Sequence, residues 1–153
     1  MQVYRGDTRV TLRVNGRDVE VVIQPGDTLL RTLRENMGLI GSKMGCENGD
    51  CGACTVLLNG KPVKSCYTLT LDALGKEVTT IEGLQRTSIQ EAFMKEYGFQ
   101  CGFCTPGMIM NAYALLEEEG KPDAETAREW MESNLCRCTG YETIERAIEA
   151  AST

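Results

Sequence analysis

From Arg9 to Val14 the chain alternates polar and apolar residues, and after Asn15-Gly16 a second run, Asp18 to Ile23, is again rich in valine and isoleucine. Two such runs joined by Asn-Gly predict a β-hairpin. Pro25-Gly26-Asp27 reads as a turn. Leucines at 29, 30 and 33 then predict a helix over 28–36, ended by Gly38. A glycine-rich stretch from Gly41 to Gly52 interrupts the periodicity. A strand follows at Thr55-Val56-Leu57-Leu58, with a second Asn-Gly turn at 59–60, a return strand to Ser65, and a closing strand over Glu77–Ile81. Strands around one helix predict a small α+β domain ending near residue 80.

The period changes in the second half. Ser88–Tyr97, Pro106–Glu119, Asp123–Glu132 and Tyr141–Ala151 read as helices. Ser88 with Glu91, and Thr139 with Glu142, fit the capping-box spacing. Thr105-Pro106 fits an N-cap followed by proline at the first helical position. Gly120-Lys121-Pro122 separates the middle pair, and Gly83–Thr87 is the expected linker. Short connections between four helices imply antiparallel neighbours and a four-helix bundle. We therefore expect an α+β chain with a first domain over 1–80 and an all-α domain over 84–153.

Composition narrows the function. With 153 residues, 42% hydrophobic and 25% charged, the chain reads as an ordinary globular protein. A net charge of -6 argues against a nucleic-acid partner. The excess falls in the second half and reads as a solvated helix surface around Glu117-Glu118-Glu119. No run is long enough to span a bilayer, and the segment Met1–Asp7 has no apolar core of the kind a secretory signal needs. The sequence is expected to be a complete subunit rather than a fragment.

Eight cysteines and no histidine change the picture most. Thiols without a secretory signal point to a reducing, cytoplasmic compartment, where cysteine holds metal more often than it forms disulfides. The lack of histidine excludes Cys/His zinc sites, Rieske-type clusters and histidine acid–base catalysis.

Cys46, Cys51 and Cys54 have the spacing C-x4-C-x2-C, with Cys66 further on. This is the plant-type ferredoxin spacing for a [2Fe–2S] cluster. Three ligands on one loop require a tight backbone curl, and Gly45, Gly49 and Gly52 permit positive φ there. If Asn59-Gly60 is a two-residue turn, Cys54 lies opposite Ser65 and Cys66 opposite Ala53, so the hairpin delivers the distant ligand. A four-cysteine zinc site, a redox-active Cys51-x-x-Cys54 pair and plain buried cysteines are the alternatives. Structural zinc more often uses two short knuckles.

Cys101-x2-Cys104 and Cys136-x-Cys138 are less specific, and zinc is a serious rival there. Both pairs are expected at helix N-termini, whose free amides and positive dipole ends favour a thiolate-ligated centre of either kind.

Three stretches then carry a resemblance: Gly45-Cys46-Glu47-Asn48-Gly49-Asp50-Cys51-Gly52-Ala53-Cys54-Thr55-Val56, Gln100-Cys101-Gly102-Phe103-Cys104-Thr105-Pro106-Gly107-Met108, and Asn134-Leu135-Cys136-Arg137-Cys138-Thr139-Gly140-Tyr141. Together they resemble the small iron–sulfur subunit of the molybdenum hydroxylase (xanthine oxidase/aldehyde oxidoreductase) family, from about Thr11 to the C-terminus. Ser133 is a small departure, since the family often has glycine there.

The resemblance implies a β-grasp, ferredoxin-like domain followed by a four-helix-bundle [2Fe–2S] domain. It implies two clusters, one on Cys46, Cys51, Cys54 and Cys66 and one on Cys101, Cys104, Cys136 and Cys138. Gln100 and Cys138 are implied to approach the pterin of a molybdenum cofactor on another subunit. The implied function is electron transfer with no substrate chemistry in this chain. A large molybdopterin subunit hydroxylates substrate with oxygen from water. Electrons pass one at a time to the second cluster, then to the first, then to flavin on a medium FAD-binding subunit or to another acceptor. The implied assembly is a dimer of heterotrimers.

On this reading the all-helical half buries a face against the large subunit and the loop Gly41–Asp50 faces the flavin side. Tyr97, Phe99 and Phe103 are candidate interface aromatics, with core packing the default expectation. The alternatives are a free-standing two-cluster ferredoxin or redox-sensing module, and a zinc-stabilised scaffold.

Overall fold

A computed structural model describes residues 3–152. Strand β1 (Thr8–Val14) pairs antiparallel with β2 (Arg17–Ile23), Val14 opposite Arg17. Asn15 and Gly16 have φ of 51° and 75°, the double left-handed turn that the Asn-Gly pair permits. Strand β3 (Thr55–Leu58) pairs antiparallel with β4 (Lys61–Lys64), and Asn59 and Gly60 repeat the same turn. The last strand, β5 (Glu77–Thr79), lies parallel to β1 and antiparallel to β3. The sheet order is β2-β1-β5-β3-β4, a mixed sheet in an α+β chain. The closing strand stops short of the expected Ile81, which instead begins a 3-10 turn, Ile81–Gly83.

The expected single helix over 28–36 is partly different. Helix α1 (Leu29–Arg31), capped by the Thr28 hydroxyl, widens into a π-helical turn over Thr32–Asn36 that ends before Gly38, at φ 71°. Leu29 and Leu33 stay fully buried against Val10, Leu12, Val14, Val56 and Val78 of the sheet. Each such side chain contributes about 1.5–3 kcal/mol by leaving water.

The second half holds α2 (Ser88–Lys95), α3 (Thr105–Glu119), α4 (Ala124–Met131) and α5 (Glu142–Ala151). Helix α2 packs on α3 and α5, and α4 packs on the same two. Their core gathers Ile89, Phe93, Met108, Leu115, Ile144 and Ile148. Helix α3 is buried nearly all round because it is central. Met110 and Ala114 turn away from the helical core to meet Leu57 of β3. Adjacent residues of β3 point to opposite faces. Val56 therefore enters the sheet core and Leu57 the contact with α3.

The capping expectations shift. Helix α2 begins at Ser88 as expected, but its capping box joins Thr87 and Gln90 rather than Ser88 and Glu91, and it ends at Lys95, short of the expected Tyr97, which is left-handed. Asp123 caps α4 through its carboxylate. The α3 N-cap is Cys104 rather than Thr105. Helix α5 starts only at Glu142 after a left-handed Tyr141, φ 73°, so Thr139 and Glu142 form no capping box.

Candidate metal centres

The first cysteine loop lies between α1 and β3 and is pinned at its base by Lys43 N donating to Ala53 O at 3.0 Å. It curls through left-handed backbone at Glu47, Gly49 and Gly52, with φ of 56°, 89° and 71°. Gly45, expected among these, is needed for space instead. A Cβ there would lie 2.7 Å from Cys51 Sγ. The curl aims amides at sulfur: Cys51 N donates to Cys46 Sγ at 3.3 Å. That amide, with those of Asn48 and Asp50, pulls the Cys46 thiol down to about 6 against the opposing effect of burial. Burial raises Cys51. Burial, then the neighbouring Cys54, pushes Cys66 up to about 12.

The distant ligand arrives as the hairpin register requires, with one change. Ladder pairing ends at Thr55 and Lys64, and Ser65 donates its hydroxyl to Cys54 O at 2.6 Å. The chain then tightens into a 3-10 turn, Ser65–Tyr67. This turn sets Cys66 beside Cys54, both packed under Leu30, rather than opposite Ala53.

In the second group, Cys101 follows α2, Cys104 caps α3, and Cys136 and Cys138 sit in the loop before α5. Only the first pair therefore touches a helix start; Cys138 lies four residues short of α5. Cys138 and Cys101 sulfurs are 3.6 Å apart, and Cys104 contacts Cys136. Thr139 donates to Cys136 Sγ twice, from its hydroxyl at 3.0 Å and its amide at 3.4 Å. Burial acts to raise Cys136, but these donors outweigh it and leave the thiol lowered. Burial pushes Cys104 up to about 12. Cys138 is raised by its contact with Cys101. The Cys136 amide donates to the Tyr141 hydroxyl at 3.0 Å.

Each group of four thus divides into two contacting pairs: Cys46 with Cys51, Cys54 with Cys66, Cys101 with Cys138, Cys104 with Cys136. A tetrahedral zinc site needs four ligands about a single centre. Paired sulfurs fit a two-iron centre, with two ligands to each iron.

The groups face one another across a cleft of about 380 Å³ lined by six of the eight cysteines, all but Cys54 and Cys66. Leu135 N donates to Cys51 O at 2.9 Å, and Asn134 Nδ2 to Gly52 O at 3.0 Å. A Cβ on Gly107 would fall 2.2 Å from Gly52 O, so glycine lets α3 approach the first loop. Exposure runs in one direction: Cys54 and Cys66 are buried, whereas Cys101 and Cys138 are exposed. Gln100 is exposed beside them. Tyr97, Phe99 and Phe103 are not core residues, being 74%, 38% and 48% exposed.

Sequence reasoning missed Lys64, Asn134 and the Thr139 hydroxyl as parts of the site. Their closeness to Cys66, Cys136 and Cys138 along the chain was the available signal. Lys64 Nζ donates to Ser133 O at 2.6 Å, so Ser133 sits in the contact between the two halves.

Two domain families match the chain: a 2Fe-2S iron-sulfur cluster binding domain over residues 12–82 and a [2Fe-2S] binding domain over 80–149. The chain is 44% identical to the aldehyde oxidoreductase iron-sulfur-binding subunit PaoA of Escherichia coli, over 94% of this chain and 71% of that one. It is 44% identical to the nicotine 6-hydroxylase small subunit of Paenarthrobacter nicotinovorans, over 91% and 86%. In the crystal structure of quinoline 2-oxidoreductase from Pseudomonas putida, a chain 42% identical superposes with a TM-score of 0.92, covering 95% of this chain and 94% of that one.

Proposed function

The chain belongs to the family of iron–sulfur small subunits of the molybdenum hydroxylases and serves as the electron-transfer subunit of such an oxidoreductase, and from that premise we propose that its eight cysteines hold two [2Fe–2S] clusters. Cys46, Cys51, Cys54 and Cys66 hold one, and Cys101, Cys104, Cys136 and Cys138 the other. The observation that carries this is the division of each group into two sulfur pairs, with the groups facing across one cleft. A bound cluster supplies a one-electron site that needs no proton partner.

The protein's own part is to ligate, to polarise and to separate. Amides of the Cys46–Cys51 curl and the two Thr139 donors offset negative charge on sulfur. Leu30 and the buried Cys54–Cys66 pair keep one side of the first centre dry. The Leu135–Cys51 hydrogen bond gives the two ligand loops a fixed separation.

We assign the two halves to a β-grasp domain over 1–80 and a four-helix-bundle domain over 84–153. Support comes from the mixed sheet around α1 and from four helices that pack in adjacent pairs. The exposed end, with Gln100, Cys101, Cys138, Phe99 and Phe103, is assigned to the large molybdopterin-binding subunit. Gln100 offers an amide donor and acceptor suited to a pterin edge, and Cys138 lies beside it in the same exposed end. The loop Gly41–Asp50 is assigned to the acceptor side, an FAD-binding medium subunit. Electrons would enter at the second group and leave from the first.

We further propose a dimer of heterotrimers in the cytoplasm, where eight unpaired cysteines stay reduced. No helix among the described residues is long and apolar enough to cross a membrane.

Iron analysis and low-temperature EPR of the reduced protein test the assignment. Two distinct [2Fe–2S] signals and two irons per group of four cysteines are expected. A colourless zinc protein, or iron for one cluster only, overturns it. A monomer showing both signals that captures no molybdopterin-containing subunit supports a free-standing ferredoxin.

A further inference from the structure

Lys64 ends β4, two residues before Cys66, and its ammonium lies half-buried between the two cysteine loops. Its hydrogen-bond acceptors are Ser133 O at 2.6 Å, Ser133 Oγ at 3.2 Å, Asn134 Oδ1 at 3.4 Å and Thr55 Oγ1 at 3.4 Å. All four are neutral oxygens. None of the ion pairs formed among the described residues involves Lys64.

A cation withdrawn from water without a carboxylate is costly unless other negative charge faces it. The negative charge nearest Lys64 would be that of a centre held on Cys54 and Cys66: its ammonium meets the hydroxyl of Thr55, the residue after Cys54, and Lys64 itself stands two residues before Cys66. Its other end of contact is the Ser133–Asn134 turn that leads into Cys136. Asn134 in turn donates to Gly52 O, between Cys51 and Cys54.

We propose that Lys64 is the fixed counter-cation of the first cluster, raising that cluster's reduction potential while its ammonium holds the Ser133–Asn134 turn of the second ligand loop in place. The inference rests on the two-cluster reading. Reduction adds one electron, with no bond made or broken, to a centre already negative through its thiolate ligands. A nearby positive charge stabilises the reduced state more than the oxidised one. The effect on the second cluster is weaker, since the residues Lys64 meets there, Ser133 and Asn134, stand three and two residues from the ligand Cys136, whereas Thr55 adjoins the ligand Cys54. Lys64 is thus a positioning and tuning residue that ligates nothing.

The test is an EPR-monitored redox titration of the iron-loaded protein in four forms: wild type, Lys64→Gln, Lys64→Arg and Ser133→Gly. Gln removes the charge while keeping a side-chain donor, Arg keeps the charge, and Gly removes the neutral Ser133 hydroxyl, with its bonds to Asn111 and Asn134, while leaving the charge in place. In Lys64→Gln the one-electron equilibrium constant for reducing the first cluster should fall at least about threefold, with a smaller change in the second. Lys64→Arg and Ser133→Gly should each stay within about twofold of wild type. A Lys64→Gln value within twofold of wild type overturns the inference, as does an equal fall in Lys64→Arg or Ser133→Gly. If Lys64→Gln loses a cluster, Lys64→Met, of similar length and uncharged, takes its place under the same criterion. Failure of the two-cluster reading shows separately, as wild-type protein lacking two signals.

Discussion

Leu135 donates its amide to the carbonyl of Cys51 at 2.9 Å, so the residue before Cys136 is hydrogen-bonded to a member of the first cysteine group. The two ligand loops are more than 80 residues apart in sequence, yet they form one unit. Among the contacts that hold it are this bond, the Asn134 side-chain amide on Gly52 O, the Lys64 ammonium on Ser133 O, and the close approach of Gly107 to Gly52. Electron transfer between two centres depends on a fixed separation, and here a backbone hydrogen bond and the buried Asn134 side chain both help to set it.

Asn134 is 2% exposed and satisfies groups on both sides of the contact. Asn134→Ala leaves those partners under-satisfied in a buried place. It should lower stability by about 1–3 kcal/mol, read as a reduced denaturant midpoint of the whole chain. An unchanged midpoint means that the side chain does not join the halves.

Gly45 has no room for a methyl group, because a Cβ would meet Cys51 Sγ at 2.7 Å. Gly45→Ala should therefore displace one ligand and selectively impair the first centre. Iron per chain should fall to about half, with the second EPR signal retained. Equal loss of both signals would point to general unfolding instead.

Cys46 gives a pH dependence to the metal-free chain. Its folded-state value of about 6 lies below that of an ordinary thiol. The thiolate therefore favours the folded loop above the unfolded value, and that contribution is lost as pH falls through about 6. Burial gives Cys66 and Cys104 the opposite sign, at about 12, so their contribution is lost as pH rises towards that value. A short iodoacetamide pulse at pH 7 should alkylate Cys46 at least about tenfold faster than Cys66 or Cys104. The Cys46 rate should halve near pH 6. Peptide mass mapping measures both, and equal rates at the three cysteines would contradict the loop's polarisation.

Thr139→Val removes the hydroxyl that donates to Cys136 Sγ at 3.0 Å but keeps the shape and the amide bond. Hydrogen bonds to ligand sulfur raise reduction potential. The second cluster's reduction constant should fall several-fold while the first is unmoved, and Thr139→Ser should restore it. A shift of both centres together would place the effect in the fold rather than at the sulfur.

Local patterns were legible where one residue type has one use. Asn15-Gly16 and Asn59-Gly60 each gave the double left-handed turn, and the register they set carried Ser65 to Cys54. Helix ends were less legible. Thr139 has the spacing of a capping residue, but a nearby thiol competes for its hydroxyl, and the helix starts later. Phe99 and Phe103 look like core residues by hydropathy, yet the four helices close a core without them.

The cysteine spacings and the two Asn-Gly turns settled by themselves that this chain gathers thiols on a curled loop and at a helix start. Those features depend on backbone freedom and chain distance over a few residues. Which sulfurs pair, and how the two groups come to share a cleft, was decided only when β3 met α3 and the Asn134–Leu135 turn settled on Cys51 and Gly52. Contacts between segments so far apart leave no period in the sequence, because they depend on where whole elements pack rather than on any neighbour along the chain.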